Sequence, residues 1–547
     1  MTSNFVYSIK CLLYILIGTL FFAYPAHALN YAKYFFSYSP ESAPNCIEIV
    51  LQTNADDQGN SVVKIPEKVN SFIVKNVEAK LYTIDKLNKL VLIQQKPNEE
   101  VELSYQSCFN NPSKVLKKAI YEKELFFIEH SKMLVLPLGK ELGDKWHYIM
   151  DYTKLPKEFS FIGSYPIQDQ RMDSVDSFFN FTKGATLAGN FESKKIHLNQ
   201  KTDQTIHYAT IGKWDWLNKN SENYIRALLT HQRNFWQDDD FPDYTIALAE
   251  SLQTSSSNGI QGLHFKNFMT LSITPNKNNL HTSIISLSHE MFHAWIGHKA
   301  HFKNPTESIA WFVEGFTDYY GLRFALESGL LCLKDYTRYH NTNLVKYYSS
   351  PIKHLSEKQR STHYQNDNVF YALSLLKGAF IAQKMSSLKD AQKTQLIDKI
   401  TKQIYLKIKE HKNASEQDQE LIVLQAFKNI LGETQWEKYH NLIKSNPLLS
   451  LTGKDFGYSL KMKPKVFKLP NYHFDMAHFM MHKTIKDLDS NSPEYQAGLR
   501  EGMRVVNHNL TFHRAAQSVL IVVLENNIEK NILFCPSLKN QVIPQLT

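Results

Sequence analysis

Apolar and polar residues alternate along the first third of the chain in short runs that are typical of β-strands. Such runs are Cys46-Ile-Glu-Ile-Val-Leu, Ser71-Phe-Ile-Val, Leu90-Val-Leu-Ile, Val101-Glu-Leu-Ser-Tyr and Met133-Leu-Val-Leu-Pro-Leu. Turn-forming clusters such as Asn54-Ala-Asp-Asp-Gln-Gly separate them. Because a side-chain period of two belongs to strands with one buried face, the region from about Asn30 to Phe161 is predicted to be an antiparallel β domain.

The hydrophobic period changes to that of helices after about Asp215. It covers the segments 221–236, 282–297, 306–328, 368–386, 390–410, 416–431 and 434–445. Apolar residues recur there every three or four positions, which buries one side of a helix. The pattern predicts a largely helical domain.

The C-terminal part has a third pattern. The segment Lys461-Met-Lys-Pro-Lys-Val-Phe-Lys, followed by Pro470, is predicted to be a linker. Beyond it, strand-like Lys483-Thr-Ile and Ser518-Val-Leu-Ile-Val-Val flank the stretch Ser492-Pro-Glu-Tyr-Gln-Ala-Gly-Leu-Arg-Glu-Gly-Met-Arg-Val-Val. A small β domain is expected at this end.

One of the helical segments carries the sequence His289-Glu-Met-Phe-His. Positions i and i+4 of a helix lie on one face, so His289 and His293 can direct two imidazoles at one zinc ion. Glu290 lies beside that face, where it can reach a zinc-bound water as general base. Zinc lowers the pKa of such a water toward about 7, which makes hydroxide available at neutral pH. The alternative is a surface helix with two unrelated histidines. His298 and His301 do not fit the required spacing and are predicted to be loop or surface residues.

A catalytic zinc site needs a third protein ligand and one position open to water. Glu314, in the segment Trp311-Phe-Val-Glu-Gly-Phe-Thr-Asp-Tyr-Tyr, is the predicted third ligand. Asp318 follows one helical turn later and could accept the remaining ring N–H of a zinc-bound histidine. Alternatively, Asp318 is a solvated helix residue. The pattern as a whole predicts one Zn²⁺ per chain.

The first 28 residues resemble an export signal. Lys10 precedes an apolar stretch from Cys11 to Tyr24, and Ala26-His27-Ala28 fits a cleavage site. The stretch is short for a membrane span and no later segment is long enough, so no stable span is expected after its removal. An uncleaved anchor is the alternative. The sequence thus predicts an exported protein, secreted or periplasmic.

The remaining cysteines agree with export. Cys46 and Cys108 both fall in the β-rich region and could pair in an oxidising compartment. Cys332 and Cys535 are far apart in sequence, and each could equally be a buried free thiol.

The net charge of +9 arises from 62 basic and 53 acidic residues that are spread along the chain. A dispersed excess of this size is typical of a solvated surface, so no nucleic-acid partner is predicted.

Together these motifs resemble the glycyl aminopeptidase family of zinc peptidases, which are related to aminopeptidase N and thermolysin and carry a C-terminal PDZ domain. The resemblance is strongest at His289-Glu-Met-Phe-His-Ala-Trp and at Trp311-Phe-Val-Glu-Gly-Phe-Thr-Asp-Tyr-Tyr-Gly. The Ser-Pro-x-x-x-Ala-Gly-Leu-x-x-Gly stretch from Ser492 is similar to the PDZ signature.

The resemblance implies a multidomain α+β chain. Its expected parts are a signal peptide at 1–28, an N-terminal antiparallel β-sandwich at 29–165, a mainly helical thermolysin-like peptidase domain at 166–460 and a small PDZ-like β domain at 461–547. It also implies His289, His293 and Glu314 as zinc ligands, Glu290 as base and Asp318 as the residue that orients a histidine. The partners expected are a peptide or protein substrate and, at the PDZ-like domain, a C-terminal peptide.

Two segments depart from the family pattern. The family has a Gly-Leu-Glu-His-like strand whose glutamate is suited to bind the free amino terminus of a substrate. The corresponding residues here are Gly262, Leu263 and His264, and an imidazole cannot give an ammonium group the charge-assisted bond of a carboxylate. These three residues are the predicted substrate-binding strand, but selectivity for free amino termini is in question.

The second departure concerns the oxyanion. Relatives have Tyr-x-Lys-Gly, whereas this chain has Leu375-Leu-Lys-Gly. Tyr371 lies one helical turn earlier and could supply the missing hydroxyl, or it could be a core aromatic.

The leading prediction is an exported zinc metallopeptidase. The family resemblance implies an aminopeptidase, and an endopeptidase with altered terminus recognition is the alternative. A different class of function is a catalytically weak zinc-containing protein that binds peptides through its PDZ-like domain. Retention of Glu290 favours the enzyme, since a structural metal needs no base.

Overall fold

The computed structural model describes most of the chain after the predicted signal segment. The described residues are 30–38, 46–66, 69–75, 79–85, 89–108, 125–139, 144–199, 202–211, 220–238, 244–250, 260–273, 280–302, 309–364, 367–389, 395–411, 414–444, 448–514, 518–525 and 527–547. The predicted signal peptide 1–28 lies outside them. Contacts divide the chain into two compact units, one of residues 1–194 with 265–268 and one of residues 195–264 with 269–547.

The N-terminal unit is β-rich. Its strands are β1 (Tyr31–Ser37), β2 (Cys46–Asn54), β3 (Asn60–Lys64), β4 (Val69–Val74), β5 (Lys80–Asp85), β6 (Leu90–Gln94), β7 (Glu100–Cys108), β8 (Leu125–Glu129), β9 (Leu136–Leu138), β10 (Lys145–Lys154), β11 (Ser160–Gly163), β12 (Ile167–Gln168), β13 (Arg171–Ser177) and β14 (Ala185–Gly189). Two short helices accompany them, α1 (His130–Met133) and α2 (Phe178–Thr182).

These strands form three sheets around one apolar core. Their orders are β12-β13-β10-β1-β2-β7-β4, β5-β6-β3-β9 and β11-β14-β8. Tyr34, Val63 and Phe126 come from the three different sheets and are buried in the same cluster. Most neighbours are antiparallel, as predicted, but β1 runs parallel to β10. A disulfide joins Cys46 to Cys108, which face each other across the β2–β7 pair.

The predicted domain boundary at residue 165 is wrong. Strand β13 pairs with β10 from Lys145↔Ser177 to Asp151↔Arg171, and β14 lies between β8 and β11. The β-rich unit therefore extends to Lys194. The prediction stopped early because β14 is buried along its whole length, so it lacks the alternation that marks a strand with one solvent face.

The second unit begins with a sheet that the sequence pattern did not indicate. Its strands are β15 (Glu192–Asn199), β16 (Thr202–Ile211), β17 (Tyr244–Glu250), β18 (Ile260–Phe265) and β19 (Phe268–Ile273), in the order β15-β16-β17-β19-β18. All six residues of β19 are buried, and a continuous apolar run does not distinguish a strand from a helix. The expected strand at Gly262 to His264 is the edge strand β18.

The helices of this unit up to Lys444 agree with the predicted segments to within a few residues, apart from two that were not predicted, one of which has only five residues. They are α3 (Ser221–Trp236), α4 (Leu280–Phe292), α5 (Ala310–Glu327), α6 (Leu333–Ser349), α7 (Glu357–Ser361), α8 (Asn368–Met385), α9 (Leu396–Glu410), α10 (Glu416–Leu431) and α11 (Glu433–Lys444). Helix α6 was not predicted. Its sequence is rich in Tyr, Asn and Thr, which have modest helix propensity, and packing against the core compensates for this.

The predicted linker at 461–468 is wrong as well. Strand β20 (Met462–Asn471) pairs over its full length with β24 (Ser537–Leu546). Pro464 and Pro470 fit because β20 has β24 as its one neighbour, and an edge strand tolerates a residue without a backbone N–H. Charged and proline residues made this strand resemble a linker.

The C-terminal segment also contains a three-stranded sheet of β21 (Arg504–His508), β22 (Val519–Glu525) and β23 (Ile528–Phe534), and the short helices α12 (Met476–His482) and α13 (Pro493–Gln496). It is not a separate unit, because its contacts join it to the helical region. Asn341 of α6 exchanges two hydrogen bonds with the backbone of Leu546, of 3.0 and 2.7 Å. Among the described residues, no helix is both long and apolar enough to cross a bilayer.

Candidate functional site

Helix α4 presents His289 and His293 on one face, as their spacing predicts. The helix lies close against α5, where Gly321 leaves room for its backbone: a Cβ at Gly321 would lie 2.9 Å from the His289 nitrogen. Helix α5 carries Glu314 and Asp318 one turn apart on the side that faces α4. The packing of these two helices therefore brings the four predicted residues together.

Three donor atoms converge at this point. His289 Nε2 lies 3.2 Å from His293 Nε2, and Glu314 Oε2 lies 3.3 and 3.4 Å from the two nitrogens. Ligands at about 2.0–2.2 Å from a tetrahedral zinc ion are about 3.3 Å apart. The spacing and chemistry of the donors thus fit one zinc ion with three protein ligands, which leaves a fourth position free for water or substrate.

The outer nitrogens of both histidines have partners that fix the ring orientations. His293 Nδ1 lies 3.0 Å from the carbonyl oxygen of Ile296. His289 Nδ1 lies 3.8 Å from Asp318 Oδ1, and the Tyr339 hydroxyl donates to that same oxygen at 2.7 Å. Because each Nδ1 faces an acceptor, each Nε2 is available as a metal ligand.

The charges of the cluster suit a cation. Burial lowers the pKa of His289, but Asp318 and Glu314 outweigh it and raise that pKa well above its ordinary value. Burial raises the pKa of Glu314, but His293 and His289 outweigh it and hold that pKa well below its ordinary value. A divalent cation would replace the proton on His289, since histidine ligands bind metal in the neutral form.

Glu290 is the next residue of α4 and lies under strand β18. A Cβ at Gly262 would be only 1.9 Å from Glu290 Oε1, so any larger residue there would displace the carboxylate. His264 Nδ1 lies 3.5 Å from Glu290 Oε2, and the His264 ring stacks on His293 with centroids 4.2 Å apart. Burial raises the pKa of Glu290, but His264 and His289 outweigh it and the pKa lies below its ordinary value. Glu290 is therefore ionised, as a general base must be.

Tyr371 of α8 also reaches the cluster. Burial and the carboxylate of Glu314, with which its hydroxyl hydrogen-bonds, raise the pKa of Tyr371 well above 10. Its ring makes an edge contact with Tyr364, with centroids 5.6 Å apart. The hydroxyl therefore lies beside the third predicted ligand, while the ring packs against the apolar core.

A close crossing of α5 and α8 brings Tyr371 next to Glu314. A Cβ at Gly378 would lie 1.8 Å from the carbonyl oxygen of Trp311, and one at Gly315 would lie 2.6 Å from Gly378 Cα. The two glycines allow the helix backbones to touch. As a result, Glu314, which precedes Gly315, can approach Tyr371.

An open cleft of about 270 Å³ leads to His289 and Glu290. The residues that line it are Gly262, Thr282, Ile285, Ser286, His289, Glu290, Asp318, Tyr339, Asn343, Lys346, Ala372, Leu375 and Leu376. The sequence analysis missed Tyr339, Asn343 and Lys346, since all three belong to the unpredicted helix α6. Their i, i+4, i+7 spacing was the signal that could have revealed them.

Other predicted residues lie at or outside the site. Leu263 is half-buried on β18 between Gly262 and His264. His298 is close to the site, since its ring makes an edge contact with His264 at 5.2 Å, but it is not a member of the converging triad. Cys332 and Cys535 are free and exposed, so the alternative that they are buried thiols is wrong.

The central region matches a known peptidase family. Residues 282–407, which include His289, Glu314 and Tyr371, match the family model for the M61 glycyl aminopeptidases. The chain is a zinc metallopeptidase whose matched region is similar to the M61 glycyl aminopeptidases. The family resemblance inferred from the two motifs is thereby confirmed.

Solved structures of zinc metallopeptidases and of an aminopeptidase N family protein resemble this chain in fold. An aminopeptidase N family protein from Idiomarina loihiensis has a TM-score of 0.65 at 13% identity, and the match covers 93% of this chain and 98% of that chain. An M1 zinc metallopeptidase from Deinococcus radiodurans has a TM-score of 0.47 at 12% identity, and its match covers 77% of this chain and 95% of that chain. The first likeness extends the shared fold over nearly the whole chain. No curated protein sequence matches the chain at a significant level.

Proposed function

We propose that the protein hydrolyses peptide bonds with one zinc ion held by His289, His293 and Glu314. The observation that carries the proposal is the 3.2–3.4 Å triangle of donor atoms with the ionised Glu290 beside it. The M61 match over the same residues supports a peptide substrate. A structural metal would not require the largely buried carboxylate of Glu290 beside it, for which Gly262 leaves room.

In the proposed reaction the bound zinc would polarise the scissile carbonyl and acidify the attacking water. Glu290 takes a proton from that water and returns it to the leaving amine. The Tyr371 hydroxyl donates a hydrogen bond to the carbonyl oxygen, which becomes negatively charged as the water attacks. Asp318, held by Tyr339, keeps His289 oriented during these steps.

Whether the enzyme removes amino-terminal residues or cuts internal peptide bonds is a separate question. The M61 match supports an aminopeptidase. His264 stands where the family pattern has the acid that suits a free amino terminus, and its ring is occupied with Glu290 and His293. Digestion of a mixed peptide library with protein that starts at Leu29 separates the alternatives by mass spectrometry. Single-residue trimming supports the aminopeptidase, and internal cuts support the endopeptidase.

The general-base role is tested with Glu290→Ala. We expect the variant to bind one zinc per chain, measured by elemental analysis, and to lose peptide cleavage by about 10³-fold or more. His293→Ala should lose the zinc itself. Glu437→Ala, at an exposed position of α11, is the matched control and should behave as the native chain. Full activity in Glu290→Ala would disprove the mechanism.

We also propose export through the segment 1–28. The Cys46–Cys108 disulfide supports an oxidising compartment, because such bonds are rare in the cytosol. Fractionation of cells that express the full chain should recover a mature form outside the cytoplasm that begins near Leu29. Recovery of the full-length chain in the cytoplasm would contradict export.

The C-terminal segment 461–547 is proposed as a PDZ-like module that takes C-terminal peptides by strand addition. Its support is the signature stretch from Ser492 and the antiparallel strands β20 to β24. This module is also the basis of the alternative function, a peptide-binding protein of weak activity. That alternative predicts affinity for C-terminal peptides with no turnover, and zinc-dependent cleavage by the native chain would exclude it.

A further inference from the structure

Helix α6 forms one wall of the cleft that leads to Glu290. Its residues Tyr339, Asn343 and Lys346 are spaced at i, i+4 and i+7, so they lie on one face, and all three line the cleft. Tyr339 donates to Asp318 and so belongs to the metal site. Lys346 occupies the same wall about two turns further along.

The ammonium group of Lys346 has an unusual environment. The side chain is half-buried, and it makes no hydrogen bond or ion pair with any residue in the described parts of the chain. Burial lowers the pKa of Lys346, and the attraction of Asp318 offsets this only in part. A partly desolvated cation whose charge is only partly balanced is costly, so a ligand with an anionic group would be stabilised there.

The acidic groups of the cleft are already engaged. Glu290 faces His264, Glu314 lies between the two histidines, and Asp318 accepts from Tyr339. None of these carboxylates is left over to bind the ammonium of a free amino terminus. Among the described residues that line the cleft, the charged group without a hydrogen-bond or ion-pair partner is therefore the ammonium of Lys346.

The C-terminal segment adds basic groups near Lys346. Burial lowers the pKa of His513 to about 4, and the positive charges of Lys346 and Arg514 contribute to that shift. His513 therefore lies within electrostatic range of both Lys346 and Arg514. A negative ligand at Lys346 would offset the repulsion that Lys346 exerts on a protonated His513.

We propose that Lys346 is a specificity residue that binds a carboxylate of the peptide substrate, so that the enzyme selects peptides with an anionic group close to the scissile bond. The carboxylate is either the C-terminal α-carboxylate of a short peptide or the side chain of an Asp or Glu residue. This inference rests on the proposed peptidase function. The small cleft, shared by Lys346 and Glu290, keeps the recognised group near the bond that is cut.

The test uses the zinc-loaded full chain and pairs of peptides that differ in one charge. One arm compares short peptides with a free C-terminal carboxylate and their C-terminal amides. The other compares amidated peptides that contain Glu or Asp with the same peptides containing Gln or Asn. One of the two arms varies the carboxylate that Lys346 recognises. In that arm we expect kcat/KM to be about 10- to 100-fold higher for the charged peptide than for its neutral partner, the range typical of a charge-assisted hydrogen bond.

Variants assign that preference to Lys346. Lys346→Met keeps the aliphatic stem and should reduce the preference to about 1, mainly through KM, while Lys346→Arg should retain most of it. Lys334→Met is the matched control, because Lys334 is an exposed lysine of the same helix outside the cleft. Calorimetric titration of the favoured peptide into Glu290→Ala gives a second readout that does not depend on turnover.

The outcomes separate this inference from the function on which it rests. Zinc-dependent cleavage with no preference in either arm, or a preference that survives in Lys346→Met, would overturn the role of Lys346 and leave the peptidase intact. Absence of cleavage of every peptide by the native chain would overturn the proposed function. Preference in the first arm identifies a carboxypeptidase or dipeptidase specificity, and preference in the second identifies acidic side chains.

Discussion

At the scale of single residues, the converging side chains of His289, His293 and Glu314 are the part of the structure that the sequence predicts best. The spacing of His289 and His293 fixes their common face, because helix geometry is the same in every protein. The position of Glu314 follows from a second helix that packs on the first. The contact between His264 and Glu290 could not be predicted, since it depends on how the edge strand β18 lies over α4.

Tyr371 shows the same limit. Its distance in sequence from Glu314 gives no indication of contact, and a tyrosine in so aromatic a chain is more often part of the core. The contact results from the touching backbones at Gly315 and Gly378, a feature that depends on tertiary packing.

Replacement of Tyr371 tests its proposed part in the reaction. Tyr371→Phe should lower kcat by about 10²- to 10³-fold, the usual effect of removing one oxyanion donor, with zinc content unchanged. Steady-state kinetics and elemental analysis measure both quantities. Tyr458→Phe, which alters an exposed tyrosine, should have native kinetics. A native kcat in Tyr371→Phe would mean that another group stabilises the oxyanion.

Gly262 offers a test of how the base is held. In Gly262→Ala the new methyl group would meet Glu290 Oε1 at 1.9 Å, so the carboxylate must move. A shift of this size in a catalytic group costs about 10²-fold in rate. We expect that loss in kcat/KM together with native zinc content, since the ligands do not contact Gly262. Loss of the metal in this variant would argue that β18 supports the whole cluster and not Glu290 alone.

At the scale of elements, pattern and structure agree wherever one face of an element is buried. Strand β1 alternates between partly exposed and buried residues, and helix α9 has a buried face of Ile397, Ile400, Ile404 and Ile408. The predictions failed where that asymmetry is absent. Strand β19 is buried on both sides, helix α6 combines Tyr, Asn and Thr with its apolar residues, and β20 is mostly exposed.

The crossing of α5 and α8 leads to a prediction about stability and metal binding together. In Gly378→Ala the new Cβ would lie 1.8 Å from the Trp311 carbonyl oxygen, which must force the helices apart. Overpacking of this kind costs about 1–3 kcal/mol in the free energy of unfolding. Because the crossing also carries Glu314, zinc affinity should fall in the same variant.

Urea unfolding and competition with a zinc chelator measure the two effects. Ser387→Ala, at an exposed position just after α8, is the control and should leave both unchanged. Native stability in Gly378→Ala would show that the two helices can separate without cost.

At the scale of the whole molecule, the C-terminal segment is attached to the helical region by specific polar contacts. Asp367, the N-cap of α8, accepts from the Val369 N–H and forms ion pairs with Lys483 at 2.6 Å and His508 at 3.5 Å. The sequence indicated a separate domain here because the composition changes at residue 461. It could not reveal that an acid nearly a hundred residues earlier holds the segment in place.

The charge of Asp367 makes this attachment dependent on pH. Burial raises the pKa of Asp367, but His508, Lys483 and the Val369 N–H outweigh it and hold the pKa well below its ordinary value. A carboxylate whose pKa is depressed by folding stabilises the native state above the pKa of the unfolded chain, about 3.9. That stabilisation is lost as the pH falls below this value toward the folded pKa.

Asp367→Asn should therefore lower the free energy of unfolding by about 1–3 kcal/mol at pH 7, since it leaves Lys483 without its partner while both side chains are largely buried. The difference between native chain and variant should shrink at pH 3, because the native carboxylate then contributes less. Urea unfolding at the two pH values measures this, with Glu525→Gln in the exposed pair to Lys530 as a control of little effect. A difference that stayed constant with pH would mean that the carboxylate acts through its shape and not its charge. The attachment of the segment would then rest on the packing of β24 against α6 and on the Asn341 bonds.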